Sequence, residues 1–396
     1  MGTVAALALV FACGTEGDEE AFLATHWQRP VFPQGPPPEG WAAITTDLDP
    51  QACGTCHVTQ LRDWSTTLHA GAYSPGLEGQ LLPWLESDPA TANSCMECHG
   101  PLSEQLPRVA NGDGSWVENP VHEPGLERQG VVCAACHVRG WKRYGPPRRD
   151  ESVTPPPPGT PHEGAIRRAE FEDGRFCAAC HQFEEPAPNG KSLENTVREW
   201  EASGYAELGV GCQTCHMPDR RHLWRGIHDP EMTRSGVTPD WRIEGRPADA
   251  SFRVRVGLTN TGTGHFFPTY VTPAVDLELV FLGAGGDTLA VRRRVLQRDV
   301  RFDGTAWIET EDDRIPPGET RSLEWTGAAP SGATRVVSRV VVRPDAFYRD
   351  FFADLLADGS AGTTSRALLE EALDRAKASP YELWRWEEPL PGNGRR

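Results

Sequence analysis

Five short motifs with the pattern Cys-x-x-Cys-His recur between residues 53 and 216 of this 396-residue chain. They are motif 1 (Cys53–His57), motif 2 (Cys95–His99), motif 3 (Cys133–His137), motif 4 (Cys177–His181) and motif 5 (Cys212–His216). Two thiols at this spacing can each form a thioether to one macrocycle, and the adjacent imidazole can bind its metal. This is the attachment pattern of c-type haem. The sequence therefore predicts five covalently bound haem c groups.

The cysteine count favours this interpretation over a disulfide, a redox dithiol or a zinc site. Ten of the 11 cysteines lie in the motifs, so no pair is left for a structural disulfide. Neither a dithiol nor a zinc site requires the histidine that ends every motif. The predicted attachment residues are Cys53, Cys56, Cys95, Cys98, Cys133, Cys136, Cys177, Cys180, Cys212 and Cys215. The predicted proximal iron ligands are His57, His99, His137, His181 and His216.

The far side of each iron needs a second ligand, and seven further histidines are available. Methionine is scarce, so a second imidazole is expected for most haems, which lowers the reduction potential relative to His/Met ligation. The candidate distal ligands are His69, His122, His162, His222, His228 and His265. Of the pair His222 and His228 we favour His228. We expect His265 to reach a haem from a glycine-rich loop, whose glycines would let the backbone approach the bulky cofactor.

The helices and strands predicted around these ligands indicate an α+β multidomain protein. Residues 49–248 form an irregular, mainly helical pentahaem domain. Residues 249–346 form an all-β, sandwich-like domain, because runs of alternating apolar residues recur between turn residues. Residues 347–396 form a C-terminal helical segment, with helical spacing at 364–378. The predicted strands are Ser251–Leu258, Val275–Leu282, Thr288–Val295, Thr320–Trp325 and Thr334–Val342.

The N-terminus predicts export. Residues 1–13 resemble a lipoprotein signal, with a short apolar run ending at Cys13 as the lipidation site. Bulky Phe11 and the absence of a preceding Lys or Arg depart from that pattern, and an ordinary secretory signal is the alternative. Residues 14–48 are acidic and Pro-rich, which predicts a tether that would contain His26. We expect an exported protein, either periplasmic or a lipoprotein of the outer membrane or cell surface.

The net charge of the chain limits the kinds of partner it can bind. A formal charge of −17 argues against nucleic acid as a partner. The expected partners are redox proteins, one donating and one accepting electrons, and a membrane reached through the lipid anchor.

Several of these motifs resemble the multihaem c-type cytochromes related to cytochrome c554. The resemblance lies in Trp64-x-x-x-x-His69, Cys98–Pro101, Gly211–Pro218 and Gly264-His265-x-x-Pro268-Thr269, and it spans roughly residues 49–275. It implies closely packed, mostly bis-His haems. The family includes electron carriers as well as enzymes that act on nitrite, tetrathionate or hydroxylamine, so the resemblance leaves the function open.

Three functions remain open, and electron transfer without catalysis is favoured. An oxidoreductase acting on a small nitrogen or sulfur compound would need one open iron. No motif ends in Lys, and we take motif 3, near Arg139, Arg143 and Tyr144, as the candidate for that open site. The third possibility is a subunit of an extracellular cytochrome filament or of an outer-membrane electron conduit.

Overall fold

The computed structural model describes residues 16–391 except 151, 153, 154, 158 and 184–190. The predicted signal and Cys13 lie outside the described residues. The α-helices are α1 (Glu16–His26), α2 (Pro50–Gly54), α3 (Val58–Trp64), α4 (Pro75–Ser87), α5 (Pro89–His99), α6 (Cys133–His137), α7 (Arg175–His181), α8 (Thr196–Glu201), α9 (Gly204–Glu207), α10 (Cys212–His216), α11 (Pro230–Gly236), α12 (Ala346–Asp358) and α13 (Thr363–Ala378). Among the described residues, no helix combines the length and apolar character needed to cross a bilayer.

The strands divide between the two halves of the chain. The short ones are β1 (Arg108–Ala110), β2 (Trp116–Glu118), β3 (Val138–Arg139), β4 (Lys142–Gly145) and β5 (Ile166–Arg167). The longer ones are β6 (Val237–Glu244), β7 (Arg253–Asn260), β8 (Ala274–Leu282), β9 (Thr288–Leu296), β10 (Arg298–Phe302), β11 (Trp307–Asp312), β12 (Thr320–Thr326), β13 (Arg335–Arg343) and β14 (Tyr381–Pro389). The predicted α+β architecture is confirmed.

The β domain consists of two antiparallel sheets around one core. One sheet has the order β12-β7-β6 and the other β14-β13-β8-β9, while β10 and β11 form a separate hairpin. The alternating apolar residues of β7 point inward, and Val254, Val256 and Leu258 are fully buried against Leu277 of β8 and Val340 of β13. This alternation is what the sequence predicted for a half-buried strand.

The edges of this domain differ from the predicted boundaries. Strand β6 begins at Val237, before the expected start at residue 249. Strand β14 pairs with β13, although it lies in the segment expected to be helical. Both are edge strands with charged residues on the exposed side, so their apolar alternation is weak.

The two C-terminal helices connect the halves of the molecule. Helix α13 packs on α4 of the first domain, and β14 then returns the chain to the β domain. Gly76 and Gly79 of α4 allow this packing: a Cβ at Gly76 would lie 2.4 Å from Phe352 of α12, and one at Gly79 would lie 3.0 Å from Leu369 of α13.

The segment predicted to be a tether is packed over the range that the structure describes. Helix α1 ends at His26, whose side chain is buried, and Val31 and Leu48 are each 1% exposed. Val31 pairs with Leu102 in an isolated β-bridge. The expectation of a free tether is therefore wrong for residues 16–48, because a few apolar side chains fix this Pro-rich segment to the surface of the first domain.

Candidate haem-binding sites

The motifs share one local geometry. Helices α6 and α10 coincide with motifs 3 and 5, and α5 and α7 end at the histidines of motifs 2 and 4. In motif 1 the amides of Cys56 and His57 donate to the carbonyl of Cys53 at 3.2 and 2.9 Å. Residues three apart on a helix lie on the same face, so both sulfurs of a motif can reach one macrocycle. All ten motif cysteines are free of disulfides.

Four proximal imidazoles are oriented by a hydrogen bond to Nδ1. The pairs are His99 with the Ala72 carbonyl at 2.7 Å, His137 with the Tyr144 carbonyl at 2.8 Å, His181 with the Tyr270 hydroxyl at 2.6 Å and His216 with the Arg225 carbonyl at 2.7 Å. Histidines that bind a metal through one nitrogen usually donate the other N–H to an oxygen. This hydrogen bond fixes the tautomer and leaves Nε2 available for iron.

Four histidine pairs face each other across a gap that suits a haem. The ring centroids are 6.4 Å apart for His57 and His162, 6.2 Å for His137 and His222, 6.1 Å for His181 and His69, and 6.5 Å for His216 and His265. Metal–imidazole bonds of about 2 Å on both sides of one ion, plus a ring radius of about 1.1 Å, give a centroid separation of about 6.2 Å. The residues present therefore fit bis-His haem at motifs 1, 3, 4 and 5.

Burial favours the neutral, metal-binding form in three of the four distal histidines. Burial lowers the pKa of His69 to about 3 and the pKa values of His222 and His265 to about 4. His162 and His265 donate from Nδ1 to the carbonyls of Gly164 and Phe266, each at 2.9 Å. A metal needs the deprotonated nitrogen, so burial prepares these imidazoles for binding.

The other three histidines have Nε2 engaged elsewhere. His26 Nε2 lies 2.9 Å from the Cys136 carbonyl, His122 Nε2 lies 3.3 Å from Glu127, and His228 Nε2 lies 3.0 Å from Asp345. The expectations for His122 and His228 therefore differ from the structure, whereas His26 was not expected to be a ligand. His222 takes the place expected for His228. The two flank one turn, and the sequence alone does not indicate which of them faces motif 3.

His99 of motif 2 is the proximal histidine without an imidazole opposite it. All twelve histidines lie in the described part of the chain, and the four pairs together with the three engaged residues account for the other eleven. We expected the open position at motif 3, but His222 lies opposite His137 there. The candidate open site is therefore at motif 2.

Neighbouring motifs meet through their sulfurs. The sulfur of Cys53 lies beside that of Cys133, Cys98 beside Cys180, and Cys177 beside Cys212. Arg29 lies between motifs 2 and 4, 3.5 Å from the Cys98 sulfur and 3.9 Å from the Cys180 sulfur. Motif 4 thus adjoins both motif 2 and motif 5, and motif 1 adjoins motif 3.

The β domain places His265 with a buried polar network. The His265 carbonyl accepts from Asn260 at 2.9 Å and from Thr263 at 2.6 Å. The next amide, of Phe266, donates to Glu199, which also pairs with buried Arg314 at 2.9 Å. A charge-assisted network of this kind fixes the loop against the first domain.

Two glycines of the His265 loop lie against other parts of the protein. A Cβ at Gly262 would lie 2.3 Å from the Ser235 carbonyl, and one at Gly264 would lie 3.0 Å from the Trp200 ring. These glycines allow close packing on other parts of the protein. These contacts require a small residue at both positions.

Comparison with known proteins agrees with this geometry. Residues 52–138, which contain motifs 1 to 3, match the family model described as cytochrome c554 and c-prime. The fold is similar to the crystal structure of a penta-heme cytochrome c552 from Thermochromatium tepidum, with a TM-score of 0.61 and 20% identity, covering 88% of this chain and 100% of that one. No curated protein matches the sequence.

The class of protein follows from the fold and the motifs together. The chain has the fold of a multihaem c-type cytochrome, and its five motifs have the residue types and spacing that haem c attachment requires. The resemblance to the multihaem cytochromes related to cytochrome c554 is thereby confirmed.

Proposed function

We propose that this chain is an electron-transfer protein that holds five haem c groups and passes electrons between a donor and an acceptor protein. The observation that carries the proposal is the set of four histidine pairs at 6.1–6.5 Å, one member of each belonging to a Cys-x-x-Cys-His motif. Haem iron, when bound, supplies one-electron redox chemistry.

The protein's own residues attach, orient and insulate these groups. The motif cysteines fix each macrocycle, and the paired imidazoles close both faces to other ligands. The sulfur contacts between motifs support short distances between neighbouring groups, from motif 1 to motif 3 and from motif 4 to motifs 2 and 5. The protein tunes each potential through axial ligands, burial and hydrogen bonds.

The distal ligand assignment is tested by replacing one histidine at a time. His265→Ala should convert one low-spin ferric signal to a high-spin signal in electron paramagnetic resonance, because only His265 faces His216. The matched control is His228→Ala, which should leave every haem signal unchanged because His228 contacts Asp345. The assignment of His265 as the distal ligand would be contradicted if His265→Ala kept all its low-spin signals. It would also be contradicted if His228→Ala lost one. A pyridine haemochrome assay should give five haems per chain.

We propose a second function on one specific observation, the absence of an imidazole partner for His99. An open iron at motif 2 would let a small nitrogen or sulfur compound bind, as an oxidoreductase requires. The oxidised wild-type protein should then show one high-spin haem beside four low-spin ones. Adding nitric oxide or cyanide should remove that high-spin signal alone. Five low-spin signals in the wild-type protein would exclude this function and leave electron transfer.

We propose further that the chain is exported and anchored to a membrane by a lipid on Cys13. The lipobox-like run before Cys13 supports this, although the run lies outside the described residues. Cys13→Ser should release the protein from the membrane fraction without changing its haem content. Release of the unmodified protein by salt alone would contradict a covalent anchor.

A further inference from the structure

One proximal histidine has a hydrogen-bond acceptor of a different kind from the others. His99, His137 and His216 donate from Nδ1 to the backbone carbonyls of Ala72, Tyr144 and Arg225. His181 of motif 4 instead pairs with the side-chain hydroxyl of Tyr270, at 2.6 Å. An amide oxygen is a stronger acceptor than a phenol oxygen, so the imidazole of His181 is polarised less.

Tyr270 is held in place by its surroundings. It comes from the β domain, shortly after His265, and its backbone φ of +65° lies in the left-handed region that is unusual for a bulky residue. Its ring is nearly coplanar with that of His181 and in line with it through the hydrogen bond, with centroids 6.2 Å apart and an angle of 14° between the planes. Strained backbone of this kind persists where neighbouring contacts impose it, often at functional sites.

The direction of the hydrogen bond follows from the chemistry of a bound histidine. A neutral imidazole that binds iron through Nε2 carries its proton on Nδ1, so His181 donates and the phenol oxygen accepts. The Thr196 side chain also lies next to the Tyr270 hydroxyl. Thr196 in turn lies 2.5 Å from the Thr269 hydroxyl.

We propose that Tyr270 is a positioning residue that raises the reduction potential of the haem held by motif 4. The comparison is with the haems of motifs 3 and 5, which also have two histidine ligands but whose proximal histidines donate to a backbone carbonyl. A less polarised imidazole donates less charge to iron, which favours the reduced state. The proposal rests on the proposed ligation of that haem by His181 and His69.

The position of motif 4 gives this tuning a role in electron transfer. Its two cysteines lie beside Cys212 of motif 5 and Cys98 of motif 2. A haem of raised potential at such a junction collects electrons from the other branches and holds them next to motif 2. Buried Glu194 lies near the phenol; burial raises its pKa to about 8, so this carboxyl adds no full negative charge at neutral pH.

The test is Tyr270→Phe in the haem-loaded full chain, which keeps the ring and removes the oxygen. His181 then loses its acceptor, and one of the five potentials should rise further. We expect up to about a tenfold change in the oxidised-to-reduced ratio of that haem at a fixed potential, which is about 59 mV for a one-electron couple. The readout is a redox titration followed by electron paramagnetic resonance. The signal lost in His69→Ala identifies the haem of motif 4.

The matched control is Tyr144→Phe, because Tyr144 accepts from His137 through its backbone carbonyl and that bond survives. It should shift no potential. Unchanged potentials in Tyr270→Phe, or an equal shift in the control, would overturn the proposal. If Tyr270→Phe loses a haem, Thr196→Val decides: removing the hydroxyl beside the phenol should shift the same potential by a smaller amount, and an unchanged potential would overturn the proposal. The haem count and the low-spin signals of the same samples test the ligation separately.

Discussion

The two domains of this protein are built around different kinds of core. In the described part of the chain, the β domain has one continuous cluster of 17 buried apolar side chains. The region of the five motifs has two separate clusters of nine and five. A domain needs a contiguous apolar core to be stable. We infer that the β domain folds on its own side chains and that the first domain completes its core with haem.

The difference between the two cores is tested most strongly by producing the chain without haem attachment. We expect the motif region to lose its folded structure while the β domain keeps it, because only the former lacks a core of its own. Hydrogen exchange should show fast exchange in α6 and α10 and continued protection in β7, β8 and β13. The haem-loaded chain is the control, and equal protection of both regions without haem would refute the inference.

A cavity in the β core should have the next largest effect. Leu279 is fully buried in β8, and Leu279→Ala should cost about 2–5 kcal/mol in free energy of unfolding of the β domain. The haem spectrum should not change, since the two cores are separate. Leu289→Ala on β9 is the control: this side chain is 38% exposed, and its loss should cost less than about 0.5 kcal/mol.

An ion pair between the two regions should make stability depend on pH. Asp312 is largely buried, which opposes its ionisation, but Arg314 and Lys191 hold its pKa at about 2. Because this pKa lies below the ordinary value, the stabilisation is present above about pH 4 and is lost as pH falls towards 2. The loss should be on the order of 2 kcal/mol.

The Asp312→Asn variant should lack this part of the fall in unfolding free energy between about pH 4 and pH 2. Acid titration of the denaturation midpoint, followed by circular dichroism in the wild type and the variant, measures it. Lys191, which follows motif 4, reaches Asp312 at 2.8 Å, so part of the effect belongs to the contact between the domains, and the rest comes from Arg314 in the β domain itself. An identical pH dependence in both proteins would contradict the assignment.

The smallest expected effect concerns the close packing of α4 on the C-terminal helices. Gly76→Ala places a Cβ against Phe352 and should destabilise by about 1 kcal/mol, since overpacking costs about 1–3 kcal/mol and helix propensity returns up to about 1 kcal/mol. A thermal melt measures it. Gly17→Ala in α1, where nothing lies within 4 Å, is the control and should stabilise slightly.

Sequence alone predicted the features that depend on local spacing. The five motifs and the alternation in β7, β8, β9, β12 and β13 are of this kind, because both follow from neighbouring residues. His265 was also predicted to reach the first domain, and the structure places it opposite His216. The glycines around His265 indicated a closely packed loop, and two of them lie against Ser235 and Trp200.

The features that sequence missed are set by long-range packing. The choice of His222 over His228 depends on which side of a turn faces motif 3. Tyr270 gave no signal, because a single tyrosine in a loop has no periodicity. The absence of a partner for His99 became visible only once every other imidazole had been placed. The packing of residues 16–48 depends on apolar residues too sparse to form a pattern.

The order of the ligands along the chain bears on how the protein is made. Under the proposed ligation, His69 precedes motif 4, whereas His162 follows motif 1 by about a hundred residues and His265 arrives only with the β domain. A polypeptide is synthesised from its N-terminus. The second ligands proposed for motifs 1, 3 and 5 therefore leave the ribosome after the motifs themselves. All ten motif cysteines precede residue 265, so a chain truncated before that residue should still attach five haems but would lack the second ligand of motif 5.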